Sequence, residues 1–392
     1  MQLRHRVCVA TIAVLCLVPG GAAAAAPGAP AGHGAGELGL VGMDHVGLTV
    51  PDIDEAVGWF HRVLGCAAPL TFGPFSDPSG TFMQDLLAVD PRAVIDQITM
   101  VRCGRSANIE LFQYEAPDQN TTFPKNSDWA GHHIAFYVDD IQAAVAHMVA
   151  QGVQKLLGPL PVTEGPAAGQ TINYFRAPFG TYIELISYPH GMAYERDPGR
   201  PLWSPKQNGR DSVVTSVPTL LGLDHVGITV PDIDAARSWF VDELGCSAPL
   251  RFGPFSDPDP NGTFMQDLLG VDPRAVIEQI NQVRCGNGPS VELFQYTAPD
   301  QVQAFRKNSD FGGKHIAFYV RHIEKAVAYL ESRGVEKLLG PVPLTEGPAA
   351  GQTINYFRAP FGTYIELISY PKGMAYEQTA PVLLWDSRDN RP

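Results

Sequence analysis

Apolar and polar residues alternate from residue 43 to 50. Val46, Leu48 and Val50 point one way and His45, Gly47 and Thr49 the other, the two-residue period of a strand with one covered face. Pro51 ends the alternation. Asp52 then stands where a helix N-cap belongs, Glu55 occupies the capping-box position, and Ile53, Ala56, Val57, Phe60 and Leu64 share one face before Gly65. The succession returns with Asp139 or Asp140 as cap, Ile141, Ala144, Val145, Met148 and Val149 as apolar face, and Gly152 as terminator. Three strand candidates follow each helix, the last at residues 108–114 and 180–188. The predicted unit is strand, helix, then three strands.

That unit is repeated. DHVGLTVPDID from Asp44 recurs as DHVGITVPDID from Asp224, and EGPAAGQTINYFRAPFGTYIELISYP recurs unchanged. His225 follows His45 by 180 residues and Glu366 follows Glu184 by 182, so the second copy gains two residues, around Asp259 and Pro260. Inside each copy lies a fainter repeat: HVGLTVPDIDEAV from His45 resembles HIAFYVDDIQAAV from His133, and IELFQY from Ile109 resembles IELISY from Ile183. Four modules result, each opened by a histidine and closed by a glutamate. The first module of each copy also carries an insertion containing MQDLL, which reads as a short helix near a cavity mouth or as simple packing of Met83, Leu86 and Leu87.

Strand alternation places the chemistry. His45 falls opposite the apolar set that must cover the helices, and the same logic groups Glu110 with Phe112 and Tyr114, His133 with Ala135 and Tyr137, and Glu184 with Tyr182 and Ile186. A lone strand histidine is more often a satisfied structural residue than a ligand. Four ionisable groups on one helix-free face are a different matter, because their burial is costly unless they are paired or bound to a cation. His132 falls on the helix side and its counterpart is Lys314, whereas His133 has His315; that comparison selects His133. The predicted metal ligands are His45, Glu110, His133 and Glu184, then His225, Glu292, His315 and Glu366. Two imidazoles and two carboxylates suit Zn, Ni, Co, Mn or Fe. Tyr114, Tyr137 and Tyr182, with Tyr296, Tyr319 and Tyr364 in the second copy, share the metal-facing side and are pocket candidates. Gln84, Arg102, Gln113, Asn173, Tyr174 and Arg176 read rather as surface or strand-pairing residues.

This pattern resembles the vicinal oxygen chelate superfamily, which includes glyoxalase I, methylmalonyl-CoA epimerase, extradiol dioxygenases and the fosfomycin and bleomycin resistance proteins. The His-Glu-His-Glu order is similar to bacterial glyoxalase I; HHIAFYVDDIQAAV is closer to the epimerases, which usually carry Gln where Glu110 stands. The resemblance implies an α+β fold in which βαβββ modules pair into two U-shaped mixed sheets with helices on the outer faces. It also implies a divalent-metal-dependent enzyme, a lyase or isomerase, that chelates two oxygens of a small-molecule substrate while Glu110, Glu184, Glu292 or Glu366 moves a proton next to a carbonyl. The alternatives are an extradiol-type dioxygenase and a protein that sequesters an antibiotic or metabolite. The expected divisions are a first domain at residues 41–194, a linker at 195–220, a second domain at 221–378 and a tail at 379–392. Local pairing of modules one and two is the simplest arrangement, though relatives also form sites between swapped partners; the chain is then a monomer or a homodimer.

Composition adds compartment and partners. The net charge of −13 argues against nucleic acid. Arg4 and Arg6 precede the apolar run Val7 to Val18 and a small-residue stretch, the layout of a secretory signal at residues 1–26, with a flexible tether at 27–40. The expected mature protein is secreted or periplasmic, with no membrane association. It keeps Cys66, Cys103, Cys246 and Cys285. Cys66 opens the second strand and Cys103 closes the third; if those strands are antiparallel neighbours, Cys66 pairs with Cys103 and Cys246 with Cys285, against the alternative of buried free thiols.

Overall fold

The computed structural model describes residues 38–196, 199, 201–207 and 215–388; the expected signal, nearly all of the tether and part of the linker lie outside them. Module one comprises β1 (Leu40–Thr49), α1 (Ile53–Trp59), β2 (Ala67–Phe72), the inserted α2 (Phe82–Leu87), β3 (Val94–Arg102) and β4 (Asn108–Glu115). Module two comprises β5 (His132–Val138), α3 (Ile141–Ala150), β6 (Gln154–Lys155), β7 (Leu160–Pro161), β8 (Thr171–Arg176) and β9 (Tyr182–Ser187). Module three repeats the first as β10 (Leu220–Thr229), α4 (Ile233–Leu244), β11 (Ser247–Phe252), α5 (Phe264–Leu269), β12 (Val276–Arg284) and β13 (Ser290–Thr297). Module four repeats the second as β14 (Lys314–Val320), α6 (Ile323–Ser332), β15 (Glu336–Lys337), β16 (Val342–Pro343), β17 (Thr353–Arg358) and β18 (Tyr364–Ser369).

The caps are those the sequence predicts. Asp52 accepts from the Glu55 amide and Asp140 from the Ala143 amide. Past Trp59 the first helix widens into a π-helical turn, Phe60–Leu64, and stops at Gly65, whose φ of 74° a side chain would strain. In modules two and four the first of the three expected strands is broken into two-residue pieces, β6 with β7 and β15 with β16.

Two nine-stranded mixed sheets form, ordered β15-β17-β18-β14-β1-β4-β3-β2, with β16 beside β17, and β11-β12-β13-β10-β5-β9-β8-β6, with β7 beside β8. The simplest expectation, local pairing within each repeat, is therefore wrong: module one shares a sheet with module four and module two with module three. Antiparallel ladders β1–β14 and β5–β10 join them. The connections after β4 and β13 cross from one sheet to the other and hold each other reciprocally. Gln119 donates to the Ser309 carbonyl and Gln301 to the Ser127 carbonyl, while Asp310 and Asp128 accept from the amides of Asn120 and Val302.

The helices cover one face of each sheet, opposite the cage residues. There one apolar core, including Val46, Phe60, Ile134, Val226, Phe240 and Ile316, runs through all four modules. Trp59 and Phe60 meet Phe179, and Trp239 and Phe240 meet Phe361, so each repeat packs internally through its helices while exchanging strands in its sheets. Ala67 pairs with Arg102 across β2 and β3, which brings together the expected disulfides, Cys66–Cys103 and Cys246–Cys285. No helix among the described residues is long and apolar enough to cross a membrane.

Candidate metal centres

The exchange of strands regroups the eight predicted ligands. His45, Glu110, His315 and Glu366 converge in one sheet, and His133, Glu184, His225 and Glu292 in the other. Each set takes two residues from each repeat, in place of four from one. The residues themselves are those strand alternation selects, all between 1% and 7% exposed.

Register explains why four bulky groups fit. His45 faces Ala317 across the central ladder and His315 faces Gly47; Glu110 lies beside Gly47 and Glu366 beside Ala317 on the flanking parallel strands. Small residues therefore stand next to every ligand. A Cβ on Gly47 would lie 1.9 Å from Cε1 of His315, and one on Gly227 the same distance from Cε1 of His133. Gly47→Ala should push the His315 ring off the cluster and halve the metal bound per chain, from about two ions to about one, as read by elemental analysis of dialysed protein. Retention of both ions would mean that the ring has room to turn.

In the first cage His45 Nε2 lies 3.2 Å from His315 Nε2, 3.1 Å from Glu110 Oε2 and 3.3 Å from Glu366 Oε2; His315 Nε2 is 3.2 Å from each carboxylate. In the second, the corresponding separations run from 3.2 to 3.4 Å. A point equidistant from four atoms so spaced lies about 2.0–2.3 Å from each, close to the span of first-row metal bonds to nitrogen and oxygen. The donors are aimed as ligands. Asp44 Oδ1 lies 2.8 Å from Nδ1 of His45 and Asp224 Oδ1 lies 2.9 Å from Nδ1 of His225, so each aspartate holds the tautomer whose Nε2 lone pair points inward. Tyr370 and Tyr188 donate to the second oxygens of Asp44 and Asp224. Glu366 Oε2 is buried without a hydrogen bond, a cost that a cation at the centre would remove. Donor set, spacing and orientation all fit a divalent metal.

Electrostatics agree. Burial alone would lower the pKa of His45, but Glu110, Asp44 and Glu366 raise it well above the usual imidazole range; Glu292, Asp224 and Glu184 do the same for His225. Against the opposing effect of burial, the two histidines bring the Glu366 carboxyl down to about 2, and His225 and His133 hold Glu292 below the ordinary carboxylate range. Protons and a divalent cation thus compete for the same four atoms.

The tyrosine candidates divide by cage. Tyr114 and Tyr364 pack with Phe112, Tyr356 and the α2 residues Met83, Leu86 and Leu87 on one side of the first cage, and Tyr182 and Tyr296 occupy the matching place at the second. MQDLL forms the short helix expected and packs through Met83, Leu86 and Leu87. Tyr319 and Tyr137 lie at the opposite side, against Tyr370 and Tyr188. His132, set aside on the sequence, is buried with its pKa lowered to about 3 by desolvation and by Lys314, and it takes no part in either cage.

Sequence reasoning missed three features. Asp44 and Asp224 precede the histidines directly, and a carboxylate beside a histidine ligand is a recognisable signal. Tyr174, read as a surface or strand-pairing residue, and its counterpart Tyr356 face Glu184 and Glu366 across the ladder, and their phenol pKa values are raised by burial and those carboxylates. Linker and tail are themselves repeats: LWSPK from Leu202 matches LWDSR from Leu384. Lys206 Nζ lies over the rings of Tyr137 and Tyr188 and the Arg388 guanidinium over Tyr319 and Tyr370, while Trp203 meets Trp385. Both segments close the far side of their cages.

A paired-sheet fold with a His2Glu2 cage in each sheet defines a vicinal oxygen chelate protein. The family model for the glyoxalase/bleomycin resistance protein/dioxygenase superfamily matches residues 44–174 and 224–356, more than half of the chain, and the protein belongs to that superfamily. One repeat's length is similar to 2-epi-5-epi-valiolone epimerase of an Actinomyces species, 42% identical over 179 residues that make up 45% of this chain and 96% of the relative. Among solved structures, a glyoxalase I mutant (V278E) from Zea mays superposes with a TM-score of 0.50 at 15% identity, over 84% of this chain and 92% of its own. A Bacillus subtilis protein described as a candidate dioxygenase does so with 0.51 at 13%, over 89% and 93%. At such identities these two likenesses concern the fold alone.

Proposed function

We propose that the protein is a divalent-metal-dependent epimerase that moves a proton next to a carbonyl of a small oxygen-rich substrate, with one cage in each sheet and a single chain doing the work of a dimer. The observation that carries this is the placement of the carboxylates. In each sheet the histidines stand on the two central strands and the glutamates on the strands flanking them, so Glu110 and Glu366 reach the first cage from opposite sides, as Glu292 and Glu184 reach the second. Inversion of a stereocentre takes a proton from one face and returns one to the other, and a carboxylate on each side supplies both transfers. When bound, a divalent ion would polarise the substrate carbonyl and so acidify the neighbouring C–H. The tyrosines and the insertion helix form a largely apolar wall beside each cage.

Similarity to an epimerase over a whole repeat supports the same reading and makes a ketone of the valiolone kind the first substrate to try. An extradiol dioxygenase needs only two histidines and one carboxylate, and sequestration needs no opposed carboxylates. Export after removal of residues 1–26 belongs to the proposal and is supported by the two disulfides, which persist in oxidising compartments.

The test is proton NMR in deuterated water. The metal-loaded protein should invert one centre of such a ketone and place solvent deuterium there, a chelator should stop both, and added divalent ion should restore them. Unchanged turnover in metal-free protein would refute the mechanism.

A further inference from the structure

Each ligand carboxylate is opposed by one residue on its antiparallel neighbour: Tyr174 for Glu184, Tyr356 for Glu366, Gln282 for Glu292 and Met100 for Glu110. Three of the four opposing side chains carry hydrogen-bonding groups. The fourth does not. Gln282, 3% exposed, donates from Nε2 to Glu292 Oε1 at 2.9 Å, which leaves Oε2 to face His225 and His133. In the first sheet the same register position holds Met100, also buried, among Leu70, Ala317 and Tyr319. A thioether has no proton to donate. Among the described residues Glu110 is thus held only through Oε2, against His45 and His315.

The difference sits where the two repeats otherwise agree closely: QITMVRC from Gln97 against QINQVRC from Gln279. A buried amide that fixes a ligand carboxylate restricts its rotation and keeps one oxygen turned to the metal. Without that bond the carboxylate can leave its ligand position at lower cost and present an oxygen to a substrate proton.

We propose that the two cages are functionally unequal. Gln282 is a positioning residue that clamps Glu292 and makes the second cage the slow-releasing metal holder, whereas Met100 leaves Glu110 free to exchange between ligand and proton carrier, making the first cage the faster catalyst. This rests on the metal-dependent epimerase reading above.

The experiment follows metal release from the fully loaded chain into excess chromophoric chelator. Two phases of equal amplitude are expected, separated by about tenfold or more, the usual reach of an outer-shell partner on metal affinity. His225→Ala should leave the fast phase alone. Gln282→Met should convert the slow phase to a fast one, and Met100→Gln, which needs no buried partner removed, should slow the fast phase and lower kcat without raising KM. Two ions leaving at one rate, or a Met100→Gln protein with both phases and kcat unchanged, overturns the inequality while the metal-dependent reading stands. A chain that takes up no metal overturns both.

Discussion

In the double variant His45→Ala/Glu184→Ala, both cages should give up their metal on dialysis against a chelator, whereas His45→Ala/Glu366→Ala should keep about one ion per chain. Both proteins lose one histidine and one glutamate, so composition and net charge are matched. Their outcomes differ only because His45 and Glu366 belong to one cage and His45 and Glu184 to two. Local pairing within repeats would reverse the result. A cage short of one ligand keeps three and binds weakly, and one stripped of an imidazole leaves buried carboxylates without a counter-charge, a loss of about 3–5 kcal/mol of the kind seen when a buried pair is broken. His45→Ala/Glu184→Ala unbalances both sheets, leaving an excess carboxylate in one cage and an excess imidazole in the other, so its thermal midpoint should also fall further. Elemental analysis after dialysis, read beside a melting curve, checks both statements.

That contrast marks the limit of what the sequence discloses. Period-two alternation around His45, Glu110, His133 and Glu184 is a local signal and correctly names the face each residue occupies. The same signal, together with Lys314 and His315 in the second copy, selects His133 over His132. Which module a strand joins is not local. β1, β5, β10 and β14 carry nearly the same pattern, so β1 could pair with β5 or β14 on pattern alone; the partner is settled by the crossed connections at residues 116–131 and 298–313, whose Gln, Asn and Asp contacts no periodicity reveals. Asp44 recurs as Asp224 in the repeat, yet its role depends on the rotamer of His45 and on Tyr370, 326 residues away. The disulfides were legible because strand order within a module is local.

Replacing Glu110 and Glu292 together by glutamine removes one proton carrier from each cage and should lower the rate of stereochemical inversion by about 10²–10⁴, the usual contribution of a positioned general base. Glutamine keeps a carbonyl oxygen that can still face the histidines, so metal content should remain near two and separate the loss of a base from the loss of a ligand. Glu366 and Glu184, on the opposite strands, are untouched. The variant should therefore still exchange the α-proton of the epimer whose C–H faces those residues, returning deuterium to the same face without inversion. The wild-type protein should deuterate and invert together. Because Glu292 is clamped by Gln282 and Glu110 is not, most of the fall should come with Glu110→Gln alone. Inversion within about threefold of the wild-type rate in the double variant, with two metals bound, would remove these glutamates from the proton path and move the search for the base to Tyr174 and Tyr356, whose phenols face the remaining carboxylates.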